Sequence, residues 1–309
     1  MIWKSFKSGL SQAWSTKRLV LVLYLASAIL GLLIALPVRA VLLDFAGRSL
    51  EGAALVNGVS TGFFFELLLH NNAGFLGLRP PALFASVAYL LLSLFLSGGA
   101  LAVLASGEGY RTTDFWGGAA KFFGRFLRLV LWSSLLLAAL YLLPLAARGL
   151  QRIFFGSDPY EYVSYWGWWV RAGLLVTALF FFRICFDYAR IHAVVTDERR
   201  MRVSLWRGLR FALRNPLPAV GLALLVALVG GVALSIYRPL SSAVDGSTVA
   251  AVAAGVVAQQ AYIVWRVVLR LTRYGSQVML FRELAGNLSE TPASEPAAPA
   301  TEPATAEAT

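Results

Sequence analysis

The sequence predicts an all-α integral membrane protein with six transmembrane helices and both termini cytoplasmic. Three observations lead there. First, of 309 residues, 58% are hydrophobic and only 14% charged, against about 25% charged in soluble domains. Second, six apolar segments are each long enough to cross a bilayer, which takes about 20 helical residues. Third, the flanks of these segments alternate between basic and nearly uncharged, the pattern of the positive-inside rule. The formal net charge of +11 would suit nucleic acid, but the basic residues border apolar segments instead of forming one free patch, so no nucleic-acid partner is expected.

The first span, 19–43, follows MIWKSFKSGLSQAWSTKR. Its apolar run exceeds the ~7–15 residues of a signal-peptide core and reads as a retained transmembrane helix. The others are 82–106, 129–147, 168–188, 218–237 and 248–271. Basic residues gather before the first span (Lys4, Lys7, Lys17, Arg18) and after the second (Arg111, Lys121, Arg125, Arg128). They gather again after the fourth (Arg190, Arg199, Arg200, Arg202, Arg207, Arg210, Arg214) and the sixth (Arg273, Arg282). The remaining connections hold few: Arg48 and Arg79, Arg148 and Arg152, and Arg238. Both termini are therefore expected inside a bacterial cytoplasmic membrane; the excess of arginine over lysine suggests a bacterial, GC-rich genome.

Two outer connections have distinct compositions. FFFELLLHNNAGF, from Phe63, reads as a short interfacial helix. DPYEYVSYWGWW, from Asp158, reads as an aromatic outer loop at headgroup level. The membrane domain is expected over 1–286. The remaining 287–309, rich in Pro, Ala, Thr and Glu, cannot bury enough apolar surface to offset chain entropy and is expected to be disordered.

A short basic amphipathic segment precedes each odd-numbered span: IWKSFKSGLSQAW, FWGGAAKFFGRFLR and LWRGLRFALRNP. Each carries a glycine with a small or aromatic residue four positions on and a large apolar one five on: Gly9/Ala13/Trp14, Gly118/Phe122/Phe123 and Gly208/Ala212/Leu213. The ends of spans four and six also align, FRICFDYAR over WRVVLRLTR, so that Arg183 matches Arg266, Asp187 matches Arg270 and Arg190 matches Arg273. These matches predict three tandem units, each a surface helix followed by a transmembrane hairpin. The surface helices are expected to lie in the cytoplasmic interface, apolar faces toward acyl chains and basic faces toward anionic headgroups. The glycine pairs Gly98-Gly99 and Gly230-Gly231 permit close helix approach or simple bends.

No reactive constellation emerges. Gly58-Val59-Ser60-Thr61-Gly62, with Glu66 and His70 following, matches G-x-S-x-G. That motif needs a strand, a sharp turn and a helix on a parallel sheet, and the three side chains are too close in sequence to converge as a triad. The two histidines, His70 and His192, fall on opposite sides of the predicted membrane, and the one cysteine, Cys185, lies in an apolar run. No metal, cofactor or catalytic residue is expected, and the chain reads as a non-enzyme.

The polar feature that stands out is FFFRICFDYAR, Phe180 to Arg190. Arg183 and Asp187 sit four residues apart on one helical face within a span, where ionisable groups face the bundle interior and find partners. Span six offers Arg266, Arg270 and Arg273 at near-helical spacing. Asp187 is expected to bridge Arg183 and an arginine of span six. The set Arg183, Asp187, Arg266 and Arg270 is then either a structural lock or an anion site.

The stretch FDYARIHAVVTDERRMRVSLWRGLRFALRNPLPAVGL resembles a group of bacterial six-span inner-membrane proteins similar to the membrane domain attached to some glycerophosphodiester phosphodiesterases. The likeness is in the arrangement: a span ending D-Y-A-R, a basic surface helix, then R-N-P before the next span, loosely over 1–286. The resemblance implies six spans. It implies no phosphodiester activity, because the soluble catalytic domain is not among these residues. The expected function is organisation of lipids or membrane protein partners at the cytoplasmic interface, through anionic headgroups. The alternative is a transporter or channel for an anionic amphiphile, its path lined by the inner arginines and Gln259 and Gln260.

Overall fold

The protein was analysed as a computed structural model that describes residues 1–46, 72–156, 160–243 and 248–289. The regular structure of these residues is entirely helical: α1 (Ile2–Ser15), α2 (Lys17–Ala46), α3 (Asn72–Ser106), α4 (Thr112–Phe155), α5 (Glu161–Val195), α6 (Met201–Arg214), α7 (Pro216–Ala243) and α8 (Val249–Ser289). Six of these, all but α1 and α6, are long and apolar enough to cross a membrane. The expected all-α, six-span fold class is therefore observed. The Gly58–Gly62 motif, Glu66, His70 and residues 290–309 of the expected tail lie outside the described residues, whereas its first three residues, 287–289, continue α8.

Large apolar side chains cover the outside of the spans. Leu32, Leu131, Val176 and Leu228 are each more than 60% exposed, an arrangement that suits acyl chains as solvent. Serine and threonine hydroxyls within the spans donate back to carbonyls one turn earlier, as Ser27 does to Leu23 at 2.8 Å, Ser93 to Leu90 at 2.8 Å and Thr272 to Val268 at 2.9 Å. These three hydroxyls are thus satisfied without water.

The packed core lies at one end of the bundle. Its members come from the start of α2 (Leu19, Leu23), the end of α3 (Leu94 to Leu104), the start of α4 (Phe115 to Leu129), the end of α5 (Ile184 to Ala193) and the later half of α8 (Val267 to Phe281). The helices alternate in direction, so all these segments share the end that carries α1 and α6. An aromatic chain runs through it, Tyr188 to Phe211 with centroids 4.6 Å apart and Phe211 to Phe281 at 5.1 Å, joining α5, α6 and α8.

Three glycines set the spacing there. A Cβ on Gly9 would collide with Ser276 and lie 2.6 Å from the Thr272 carbonyl oxygen of α8. One on Gly118 would collide with Ala102 of α3, and one on Gly208 would lie 2.6 Å from the Ala189 amide nitrogen of α5. Close approach of backbones maximises dispersion contacts, the main attraction between helices where lipid removes the hydrophobic drive. Thus α1 packs on α8, α4 on α3 and α6 on α5. Gly99 belongs to the same seam, its missing Cβ 2.6 Å from the Phe115 carbonyl oxygen, whereas Gly231 has open space. The end of α3 is capped from two neighbours: Gln12 donates to the Leu104 carbonyl at 3.0 Å and Arg282 to that of Ala105 at 2.5 Å. These are last-turn carbonyls with no intrahelical donor.

Several expectations need correction. The basic segment before span three is not a separate surface helix, because α4 runs unbroken from Thr112 to Phe155. By contrast, α1 ends at Ser15 with Thr16 as its C-cap, and α6 at Arg214 with Asn215 as its C-cap, after which Pro216 opens α7 in the position where its missing N–H costs nothing. The short helices split their apolar residues between the seams and the outside. Residues four past each glycine (Ala13, Phe122, Ala212) are buried, whereas Trp14 and Leu213, five past, are exposed, as are Trp3 and Trp206. The helices turn their small residues inward because only these allow the close seam, and the tryptophans are left outside. The aromatic segment after Asp158 is no loop: from Glu161 it forms the first turns of α5, with Tyr162, Tyr165, Trp166 and Trp169 in edge-to-face pairs.

The turn between α5 and α6 is fastened to α4. Asp197, in the left-handed region at φ 50°, binds Lys121 at 3.0 Å and Arg125 at 2.6 Å. Hydrogen bonds from Lys121 and then Arg125 hold its carboxyl below the usual carboxylate range. Glu198 accepts the backbone N–H groups of Arg199 and Arg200 at 3.0 Å each, ordering the approach to α6.

Two measurements test these features. Gly208→Ala should lower stability by about 1–3 kcal/mol through overpacking, whereas Gly124→Ala, with open space around it, should be neutral or stabilising by up to about 1 kcal/mol; thermal melts in detergent report both. The Asp197 ion pairs are half-exposed and contribute under about 1 kcal/mol. With the folded pKa depressed, this increment is present above the unfolded carboxylate pKa and is lost as pH falls through the folded value. Asp197→Asn, which tolerates the left-handed backbone, should abolish that pH dependence in melts between neutral and acid pH.

Candidate functional site: an arginine-lined cavity

Two helical stripes of identical spacing face one another in the packed half of the bundle. On α5 they are Arg183, Asp187 and Arg190; on α8, Arg266, Arg270 and Arg273. Positions i, i+4 and i+7 fall on one side of a helix, so each sequence presents a continuous polar edge. Between them lies a cavity of about 900 Å³, which Ser27 of α2, Tyr89 and Ser93 of α3 and Gly230 of α7 also line. Ser27 is ten residues into α2, ~15 Å along its axis, so the cavity reaches well inside the span.

Asp187 is 4% exposed and is the anchor of this site. Its Oδ1 pairs with Arg190, and its Oδ2 lies 3.7 Å from Nε of Arg273 and accepts a hydrogen bond from Gln277 at 3.4 Å. A carboxylate is buried here only because cations and donors surround it. The expected link from Asp187 to span six is thus made by Arg273, and the partner on α5 is Arg190 where Arg183 was expected. Helical side chains lean toward the N-terminus. Arg190 therefore leans back over Asp187, while Arg183, one turn earlier, leans away from it.

Tyr274 organises the remaining cations. The guanidinium groups of Arg190, Arg273 and Arg270 sit 5.5, 5.3 and 5.8 Å from its ring centroid, and Arg270 Nε donates to its hydroxyl at 3.2 Å. Arg190 also lies 4.7 Å over Phe186. Such contacts offset part of the cost of burying charge. Of the residues singled out from sequence, Arg183, Asp187, Arg266 and Arg270 all line the one cavity. Arg183 and Arg266 have no ion pair or hydrogen bond among the described residues.

The cavity carries an excess of positive charge. Among the described residues, five arginines line it against one carboxylate, that of Asp187, leaving four charges uncompensated. Three of its buried donors have no hydrogen-bond partner: Nε of Arg190, Nε of Arg273 and Nε1 of Trp265. A buried donor without an acceptor costs about 1–3 kcal/mol, and an anion entering the cavity would satisfy several at once. Outside, at the same end, Arg128, Arg199, Arg200 and Arg202 surround Trp132 in a shallow depression.

A second polar cluster is a clasp between α5 and α6. Nε2 of His192 lies 3.2 Å from an Arg207 nitrogen and Nδ1 lies 3.3 Å from Ser204 Oγ. Arginine only donates, so Nε2 is the acceptor and Nδ1 carries the proton toward Ser204. The serine is an acceptor here, the reverse of an activated nucleophile. Among the described residues no three His, Cys, Asp or Glu side chains converge as metal ligands.

No family model, curated protein or solved structure matches the chain, so the resemblance to phosphodiesterase membrane domains has no support from these comparisons.

Removing the Asp187 charge would leave Arg190 and Arg273 buried without their counter-ion. Asp187→Asn should cost about 3–5 kcal/mol, the usual penalty for breaking a buried pair from one side. Arg183→Gln, which breaks no ion pair, should change the melting temperature far less; parallel melts of the two variants decide.

Proposed function

We propose that the protein is a non-enzymatic, multi-pass component of a bacterial cytoplasmic membrane that binds the headgroup of an anionic amphiphile between α5 and α8. The observation that carries this reading is the cavity with four uncompensated arginine charges and unpartnered buried donors. Charges at membrane depth are costly unless paired, and an anionic headgroup supplies the missing acceptors. Asp187 with Arg190 and Arg273 acts as the lock that holds the walls; Arg183 and Arg266 supply the attraction.

Orientation fits the same reading. The basic clusters, the cavity and the external arginines all belong to one end of the bundle, which the positive-inside rule assigns to the cytoplasm together with both termini. That surface faces anionic lipid and offers a docking face to a membrane protein partner. We also take the three glycine seams as support for three tandem units. Each basic segment rests on the even-numbered span before it, and α1 rests on the last span, so the pattern closes on itself.

Binding is favoured over passage. On α8 the cavity lining extends no further than Tyr262, and Gln260 accepts a hydrogen bond from Tyr24 of α2 at 2.7 Å while Gln259 is exposed. Neither glutamine expected to continue a path lines the cavity.

The test is native mass spectrometry of the protein released from nanodiscs. Wild type should retain an anionic lipid in stoichiometric amount. Arg266→Ala should reduce its occupancy at least roughly fivefold, since one basic residue contributes about 1 kcal/mol even near an exposed surface. A lipid complement indifferent to the substitution would reduce the arginines to a structural role.

A further inference from the structure

The polar cavity has an apolar neighbour along two of the helices that line it, α2 and α3. On α2 the stripe that begins at Ser27 continues as Leu30, Ile34 and Pro37 at spacings of one helical turn. On α3, Tyr89 and Ser93 line the cavity, and the same helix continues as Ala88, Ala85 and Pro81. These continuations border a second cavity of about 560 Å³ between α2 and α3, whose lining is wholly apolar. Ala82, Ala85 and Ala88 keep the space open because their side chains are too short to fill it. Leu33 and Phe84, 61% and 76% exposed, stand at its rim where the bundle meets lipid.

One ligand shape matches this sequence of environments: an anion at one end and a hydrocarbon chain at the other. Bulk anions have no use for the apolar half, and a neutral lipid leaves the arginines without acceptors. We propose that the ligand of the arginine cavity is a single anionic phospholipid whose headgroup lies among Arg183, Arg266 and Arg270 and whose acyl chain runs in the α2–α3 groove. The proposal rests on the headgroup reading above and names its ligand class. The lipid enters sideways from the bilayer, so its chain never leaves an apolar environment while its headgroup moves to the arginines. Each methylene covered by the groove in place of water or detergent headgroups adds to binding, so affinity must depend on chain length as well as on charge.

The experiment measures binding of three probes to the full-length protein in detergent: dioleoyl phosphatidylglycerol, dihexanoyl phosphatidylglycerol and inorganic phosphate. Displacement is followed by native mass spectrometry, with wild type, Ala85→Phe and Arg266→Ala compared. The proposal predicts that wild type prefers the long-chain lipid at least tenfold over the short-chain one. Ala85→Phe, which fills the groove at a half-buried position remote from the arginines, should erase that preference and leave the short-chain affinity unchanged. Arg266→Ala should weaken both lipids alike. Equal affinity of wild type for the two chain lengths would overturn the groove assignment while leaving the headgroup reading intact, and this comparison needs no variant to fold. Phosphate binding as tightly as either lipid would make the site one for a free anion. Failure of all three probes would remove the headgroup reading itself.

Discussion

Backbone contact at three glycines is the constraint from which the rest of this bundle follows. In lipid, helices gain nothing from hiding leucine from water, so they associate where their surfaces can come closest. Gly9, Gly118 and Gly208 provide those places, against α8, α3 and α5. All three lie at the same end, and that end is where the core is dense. Elsewhere the spans keep their large apolar side chains outward. The short helices α1 and α6 belong to this frame: their small residues are in the seams, and their tryptophans remain free for the membrane boundary.

A frame pinned at the seams leaves space between the helices that do not touch through glycine, and the polar stripes of α5 and α8 line that space. The two stripes divide the work. Asp187, Arg190, Arg273 and Gln277 form a nearly self-sufficient group that ties the walls together. Arg183 and Arg266 share the same spacing on their helices but make no ion pair among the described residues. One acid among five arginines accounts for both the cohesion of the site and its attraction for an anion. The groove between α2 and α3 sets an apolar chamber beside the charged one.

Much of this was legible in the residues. Six spans follow from apolar length alone, and Arg183, Asp187, Arg266 and Arg270 were recognisable because ionisable groups inside a span require a common interior. The repeated glycines were visible as a pattern, but the helices they would meet were not: backbone proximity brought Ala13 and Ala212 into the seams, while Trp14 and Leu213 stay outside. The roles of Arg190 and Arg273 lay in the same i, i+4, i+7 spacing, but choosing between Arg183 and Arg190 as the partner of Asp187 required the lean of helical side chains. The unbroken α4 was hidden because its basic segment looks like those before α2 and α7, and it lacks the break that Thr16 and Asn215 mark.

The sequence by itself determined the class of protein, the number of crossings and the polar residues at membrane depth, since each depends on composition or on spacing along a single helix. The tertiary structure decided which arginine neutralises Asp187, which arginines remain in surplus, and that a polar chamber and an apolar groove lie along the same two helices, α2 and α3. Those outcomes depend on distances between helices far apart in the chain, and in a bilayer these distances are set by steric fit at the seams, to which the hydrophobic pattern of any one helix is blind.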